Sequence, residues 1–127
     1  MRALMLMIAA AATIASCTRP LAPEHSDAAE AIAGRVAGAP RTCISTNQAE
    51  NLRVLDSQTL AYGFGPTIYI NRLQAACPGI SQFNTIIVEP GLGGQYCRND
   101  RVRGLTPGLS IPGPSCNLGD WVPYHKP

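Results

Sequence analysis

From Leu52 to Tyr124 the chain is a succession of short apolar and β-branched runs, each closed by turn residues. Leu52 to Leu55 predicts a strand, with Asp56-Ser57-Gln58 as its turn. Thr59 to Tyr62 predicts the next, and Gly63-Phe64-Gly65-Pro66 turns the chain again. Thr67 to Asn71 follows with β-branched and aromatic residues. Joined in the shortest topology, these three runs make an antiparallel meander. Thr85 to Val88 is almost continuously apolar, which predicts a strand covered on both faces. Pro90 to Gly94 predicts a hairpin turn, Gln95 to Cys97 a short strand, and Arg101 to Leu105 another. Residues 106–119 are rich in Pro and Gly and predict an irregular loop pinned by Cys116. Trp121 to Tyr124 predicts an edge strand, because Pro123 cannot donate to a ladder. The fold expected over residues 41–127 is therefore all-β: a small antiparallel sheet, curled or barrel-like. Little helix is expected beyond a turn near Asn47 to Asn51.

The first forty residues have a different texture. Met1-Arg2 is a short positive start, and Ala3 to Ile14 is apolar apart from Thr13. The run stops short of the roughly 20 apolar residues that a membrane span needs. Small residues then lead into Ile14-Ala15-Ser16-Cys17, the pattern of a lipoprotein signal. Residues 1–16 are thus expected to be a signal peptide, cut before Cys17, whose new N-terminus carries lipid. Residues 17–40 are Ala- and Pro-rich and hold no aromatic, which predicts a flexible tether. Asp27-Ala28-Ala29-Glu30 has cap-box spacing and allows a short helix over about 28–37, with Gly34 weakening it. Thr18 is not the aspartate associated with inner-membrane retention. The expected address is the periplasmic face of a bacterial envelope, at the outer membrane.

Composition changes this picture only a little. Without Arg2, nine basic side chains stand against eight acidic ones, too even for a nucleic-acid surface. A mature chain of this size is one domain with a modest core. Beyond Cys17 there are four cysteines: Cys43, Cys77, Cys97 and Cys116. An even number in a small exported chain predicts two disulfides. None of the four has the short spacing of a structural zinc site. Three connectivities are open. Cys43–Cys116 with Cys77–Cys97 is preferred, since it joins the domain's ends, and Cys43–Cys77 with Cys97–Cys116 comes next.

A series of short motifs adds to this reading. Arg41-Thr42-Cys43-Ile44, Arg53-Val54-Leu55-Asp56-Ser57-Gln58-Thr59-Leu60 and Tyr69-Ile70-Asn71-Arg72-Leu73 come first. Cys77-Pro78-Gly79-Ile80, Gln95-Tyr96-Cys97-Arg98-Asn99-Asp100 and Ser115-Cys116-Asn117-Leu118-Gly119-Asp120-Trp121-Val122-Pro123-Tyr124 follow. Over residues 41–125 the chain resembles a family of small, uncharacterised bacterial lipoproteins with a four-cysteine domain of unknown function. It departs at Arg98-Asn99-Asp100, where a smaller turn with glycine before the aspartate is expected. The resemblance implies export, the four-cysteine framework and a compact domain, and brings no activity or catalytic residues.

Candidate chemistry is sparse. The histidines are His25, in the tether, and His125, near the end. A hydrolase would have to use His125, and no cofactor or metal is expected. Gly91-Leu92-Gly93-Gly94 is followed by a β-like run rather than the helix a phosphate cradle needs. Asp56, Glu89, Asp100 and Asp120 are too dispersed for a calcium loop. Asp56 is expected to cap its own turn, and Asp100 either to cap its turn or to pair with Arg98 or Arg101. All seven aromatics lie between Tyr62 and Tyr124, and Tyr69, Trp121 and Tyr124, with Arg72 and Arg98, form the candidate ligand face. The expected function is a non-enzymatic envelope lipoprotein acting as an interaction or accessory module. It touches the membrane through Cys17 and has an envelope protein as its partner. A glycan- or peptide-binding module is one alternative, and a hydrolase using His125 another.

Overall fold

In a computed structural model, described over residues 27–47, 51–89 and 93–127, the domain is all-β. The described residues begin with a short helix, α1 (Asp27–Ile32), and a two-residue strand, β1 (Val36–Ala37). Strands β2 (Cys43–Ser45), β3 (Arg53–Asp56), β4 (Thr59–Tyr62) and β5 (Thr67–Arg72) follow. Then come β6 (Thr85–Glu89), β7 (Gln95–Cys97), β8 (Arg101–Leu105), β9 (Cys116–Asn117) and β10 (Trp121–His125). They form three antiparallel sheets, ordered β1-β10-β5-β4-β3, β2-β7 and β6-β8-β9, and these do not close into a barrel.

The meander β3-β4-β5 forms as the short β-like runs and their turn residues predict. Asp56 caps the β3–β4 turn, its Oδ1 accepting from the Gln58 N–H at 2.8 Å. A register shift between Val54 and Asp56 adds a bulge at Leu55. Register puts Val54, Leu60, Tyr62, Tyr69, Asn71 and Trp121 on one face of this sheet. That face meets Ile44, Leu73, Cys77, Ile80, Val102 and Leu118 in the core. Each large side chain buried there contributes about 1.5–3 kcal/mol relative to exposure.

Several expectations are corrected. Residues 27–40, read as tether, form α1 and β1, and the folded unit reaches back to Asp27. Val36 is exposed, so backbone bonds rather than apolar burial hold this segment: the Gly38 N–H donates to the Pro123 carbonyl at 2.7 Å, and Arg41 and Trp121 exchange two more. Strand β10 is consequently not an edge. In an antiparallel strand a residue's nitrogen and carbonyl oxygen face the same neighbour, and the Pro123 oxygen faces β1. Its missing donor therefore costs the β5 ladder nothing.

Strand β6, expected to be covered on both faces, is instead an edge with half-buried apolar residues. Because β6 pairs β8 while β7 pairs β2, the segment between β6 and β7 crosses between sheets and is not a hairpin. Its residues 90–92 lie outside the described residues. The loop before β10 contains β9, a two-residue strand beside β8.

Both bridges exist, but in the third connectivity: Cys43–Cys97 and Cys77–Cys116. Cys43 and Cys97 face each other in the β2–β7 ladder, with Cα atoms 4.0 Å apart. The Arg98 N–H donates to the Thr42 carbonyl, so the adjacent cysteine pair is the one that exchanges no ladder bonds. Such pairs bring Cβ atoms closest. Cys77, after β5, reaches Cys116 on β9 and so joins two of the sheets.

Candidate functional site

The five residues of the expected ligand face are not brought together. Trp121 is fully buried, and Tyr69, two register positions along on the same face, packs half-buried against the core. Tyr124 pairs with Ile68 and so lies on the sheet's opposite face, as does Arg72. Arg72 stands four residues beyond Ile68, about 13 Å along the strand. Arg98 sits in the turn after β7 and pairs with Asp120 at 3.2 Å, an exposed contact worth about 0–1 kcal/mol. A core this small takes up its large side chains, and the tryptophan went there.

The His125 Nδ1 lies 2.9 Å from the Thr67 hydroxyl. A Cβ added at Gly38 would lie 3.4 Å from Nε2, so that side of the ring faces backbone. Among the described residues no carboxylate bonds to either nitrogen. Cys17, His25 and the signal peptide lie outside the described residues. Among the described residues, no group of three His, Cys, Asp or Glu side chains is placed to hold a metal ion.

Another site emerges, which the sequence did not single out. A cleft of about 660 Å³ opens between α1 and the β3 end of the large sheet. Asp27 and Glu30 of α1 stand on one wall; Arg53 of β3, Phe64 and Ile68 stand on the other, and Arg35 closes one end. The turn at residues 63–66 builds this wall. Gly63 and Gly65 both adopt left-handed φ (88° and 84°), a conformation that side-chain-bearing residues rarely take. The turn directs three carbonyls at the two arginines. Arg53 Nη2 donates to the Gly63 carbonyl at 3.1 Å, and Arg35 Nη1 donates to those of Gly65 and Pro66 at 2.9 and 3.2 Å.

The Arg53 guanidinium lies over the Phe64 ring, 4.5 Å from its centre, while the ring itself stays 60% exposed. Neither arginine forms an ion pair among the described residues, and the Arg53 Nε is buried with no hydrogen-bond partner there. Asp27 accepts a bond from the Gln82 amide, and both side chains line the cleft. The cleft therefore offers two fixed, carbonyl-braced guanidinium groups, an exposed ring beside them and carboxylates opposite. A guanidinium held in this way presents a planar fork suited to a carboxylate.

The signal available for this site was Phe64 itself. A large ring in a Gly-Phe-Gly-Pro turn has no strand to bury it. Arg53 and Arg35 gave no such signal, since scattered arginine is ordinary surface.

Comparison of the chain with family models, with curated proteins and with solved structures gives no match.

Proposed function

We propose that this protein is a bacterial envelope lipoprotein, anchored through acyl chains on Cys17. In this reading its domain binds a peptide segment of another envelope protein in the α1–β3 cleft and catalyses no reaction. The address is supported by the apolar leader ending in Ile14-Ala15-Ser16-Cys17 and by two disulfides, which persist in oxidising compartments. Thr18 after the cysteine favours the outer membrane.

The observation that carries the binding reading is the Arg53–Phe64 pair. It leaves a pre-oriented cation, without an ion pair among the described residues, and an exposed ring side by side in a concave site. A peptide supplies carboxylate and apolar groups for that wall. Its ammonium or amide groups suit Asp27 and Glu30 opposite. Pre-organised arginines and aromatics are the side chains that carry most interface energy.

The test is a photo-crosslinking residue in place of Phe64 in living cells. The expected result is a discrete adduct with an envelope protein that is lost when Arg53→Ala is added to a chain that still folds. Adducts indifferent to Arg53 would contradict the cleft assignment. A sugar ring is the alternative occupant, since Phe64 also offers a stacking surface. Thermal stabilisation by glycans but not by peptides would favour it.

A further inference from the structure

Three large apolar side chains outside the cleft, each more than half exposed, lie on two loops that the fold holds side by side. Phe83 (82% exposed) is on the loop between β5 and β6, and Leu109 (61%) and Ile111 (82%) are on the loop between β8 and β9. The Asn84 amide donates to the Thr106 hydroxyl at 3.1 Å at one end of the pair. At the other end the backbones touch: a Cβ added at Gly79 would lie 2.9 Å from Pro114 and 3.7 Å from the Gly113 Cα. Bonds within each loop fix its shape, with the Phe83 N–H donating to the Ser81 hydroxyl and the Leu109 N–H to the Thr106 carbonyl. Neither stretch, 78–84 nor 106–115, carries a charge. Large exposed apolar groups on an uncharged, braced surface mark a contact face.

Asp27, the first described residue, sits beside this face. The Asp27 carboxylate accepts a bond from Gln82, the residue next to Phe83. Nine residues lie between Cys17 and Asp27, ten chain steps, so a fully extended connection reaches at most about 35 Å. A lipid on Cys17 therefore holds the Phe83 end of the domain close to the bilayer at high effective concentration, and weak insertion suffices to dock it.

We infer that Phe83, Leu109 and Ile111 insert into the interface of the membrane that holds the anchor, seating the domain on the lipid surface in one orientation. This rests on the acylation of Cys17. With Phe83 seated, its neighbour Gln82, which lines the cleft, lies near the lipid, so the cleft sits beside the bilayer.

The test uses the mature acylated protein, its mass first confirming acyl chains on Cys17, in vesicles of phosphatidylethanolamine and phosphatidylglycerol. Trp121, buried in the core, is the built-in reference. Phe83→Trp and, separately, Ile111→Trp each add one reporter at a position that is 82% exposed, so neither disturbs packing. The expected result is a shift of the added emission to shorter wavelength and its quenching by lipid brominated near the headgroup. Wild-type emission from Trp121 stays unquenched. Unshifted, unquenched emission at both positions in vesicle-bound acylated protein would overturn the docking and leave the lipoprotein reading intact. A shift without lipid quenching, which means burial against protein, would overturn it too. A mature chain without acyl groups would overturn both readings together.

Discussion

The side-chain amide of Asn71 grips Gly119 by both of its polar backbone groups. Nδ2 donates to the Gly119 carbonyl at 2.8 Å, and the Gly119 N–H donates to Oδ1 at 2.9 Å. Asn71 is fully buried beside Trp121, and a Cβ on Gly119 would fall 2.2 Å from the Arg72 carbonyl oxygen. The close approach of the two backbones lets one side chain replace a missing rung between β5 and the segment entering β10. Replacing Asn71 by Ala strands two buried backbone groups, each costing about 1–3 kcal/mol. Denaturant unfolding of Asn71→Ala should show a loss of about 2–4 kcal/mol. A loss below 1 kcal/mol would mean that water satisfies these groups.

Asn99 has φ of 72° in the turn that joins β7 to β8. The Asp100 carboxylate caps the same turn by accepting the Cys97 N–H at 2.7 Å. Glycine was expected before this aspartate, and asparagine is the side-chain-bearing residue that best tolerates the left-handed region. Asn99→Ala should cost about 1–2 kcal/mol, while Asn99→Gly should cost clearly less, even though it gives up the contact from Gln74. Equal losses for the two variants would place the energy in that contact instead of in the backbone.

How far the fold could be read from the sequence follows from these particulars. Thr59 to Tyr62 and Thr67 to Asn71 were legible because β-branched and aromatic runs and the turn residues between them are local signals. The turn cap at Asp56 was legible for the same reason, and the cap at Asp100 was one of two readings the sequence allowed. The disulfide pairing was not, because Cys43 meets Cys97 through a three-residue ladder closing over a separation of 54 residues. Nothing near either cysteine encodes that ladder. The folding of residues 27–40 was hidden because backbone bonds to β10 and the Arg35 side chain secure it, while its apolar residues stay largely exposed. The cleft arises where α1 meets β3 and the turn at Phe64, a juxtaposition made by tertiary structure alone.

The pairing is directly measurable. Proteolysis without reduction should release Cys43 linked to Cys97 and Cys77 linked to Cys116, and no other linked pair. Each bridge closes a loop long enough to contribute roughly 4 kcal/mol through the unfolded chain. Replacing Cys43 and Cys97 together by Ser should lower unfolding stability by that order.

Tyr96 packs edge-on against Tyr62, with ring centres 6.0 Å apart. Burial raises its phenol pKa above the ordinary 10.0, and the neighbouring Tyr62 raises it further. The folded state therefore favours the neutral phenol. Stability from this group is complete below pH 10.0 and falls as the pH climbs from there through the raised folded value. Tyr96→Phe should flatten that alkaline loss in urea midpoints measured from pH 8 to 11, a range spanning the ordinary phenol pKa. An unchanged slope would assign the loss to other groups.

The central claim is that this is an exported, lipid-anchored domain stapled by two bridges. Intact mass of the protein from native membranes, taken with and without reduction, tests it most directly. The account predicts a chain beginning at Cys17, carrying two or three acyl groups, that gains four hydrogens on reduction of the two disulfides. A chain still beginning at Met1, an unmodified Cys17, or a mass unchanged by reduction would contradict it.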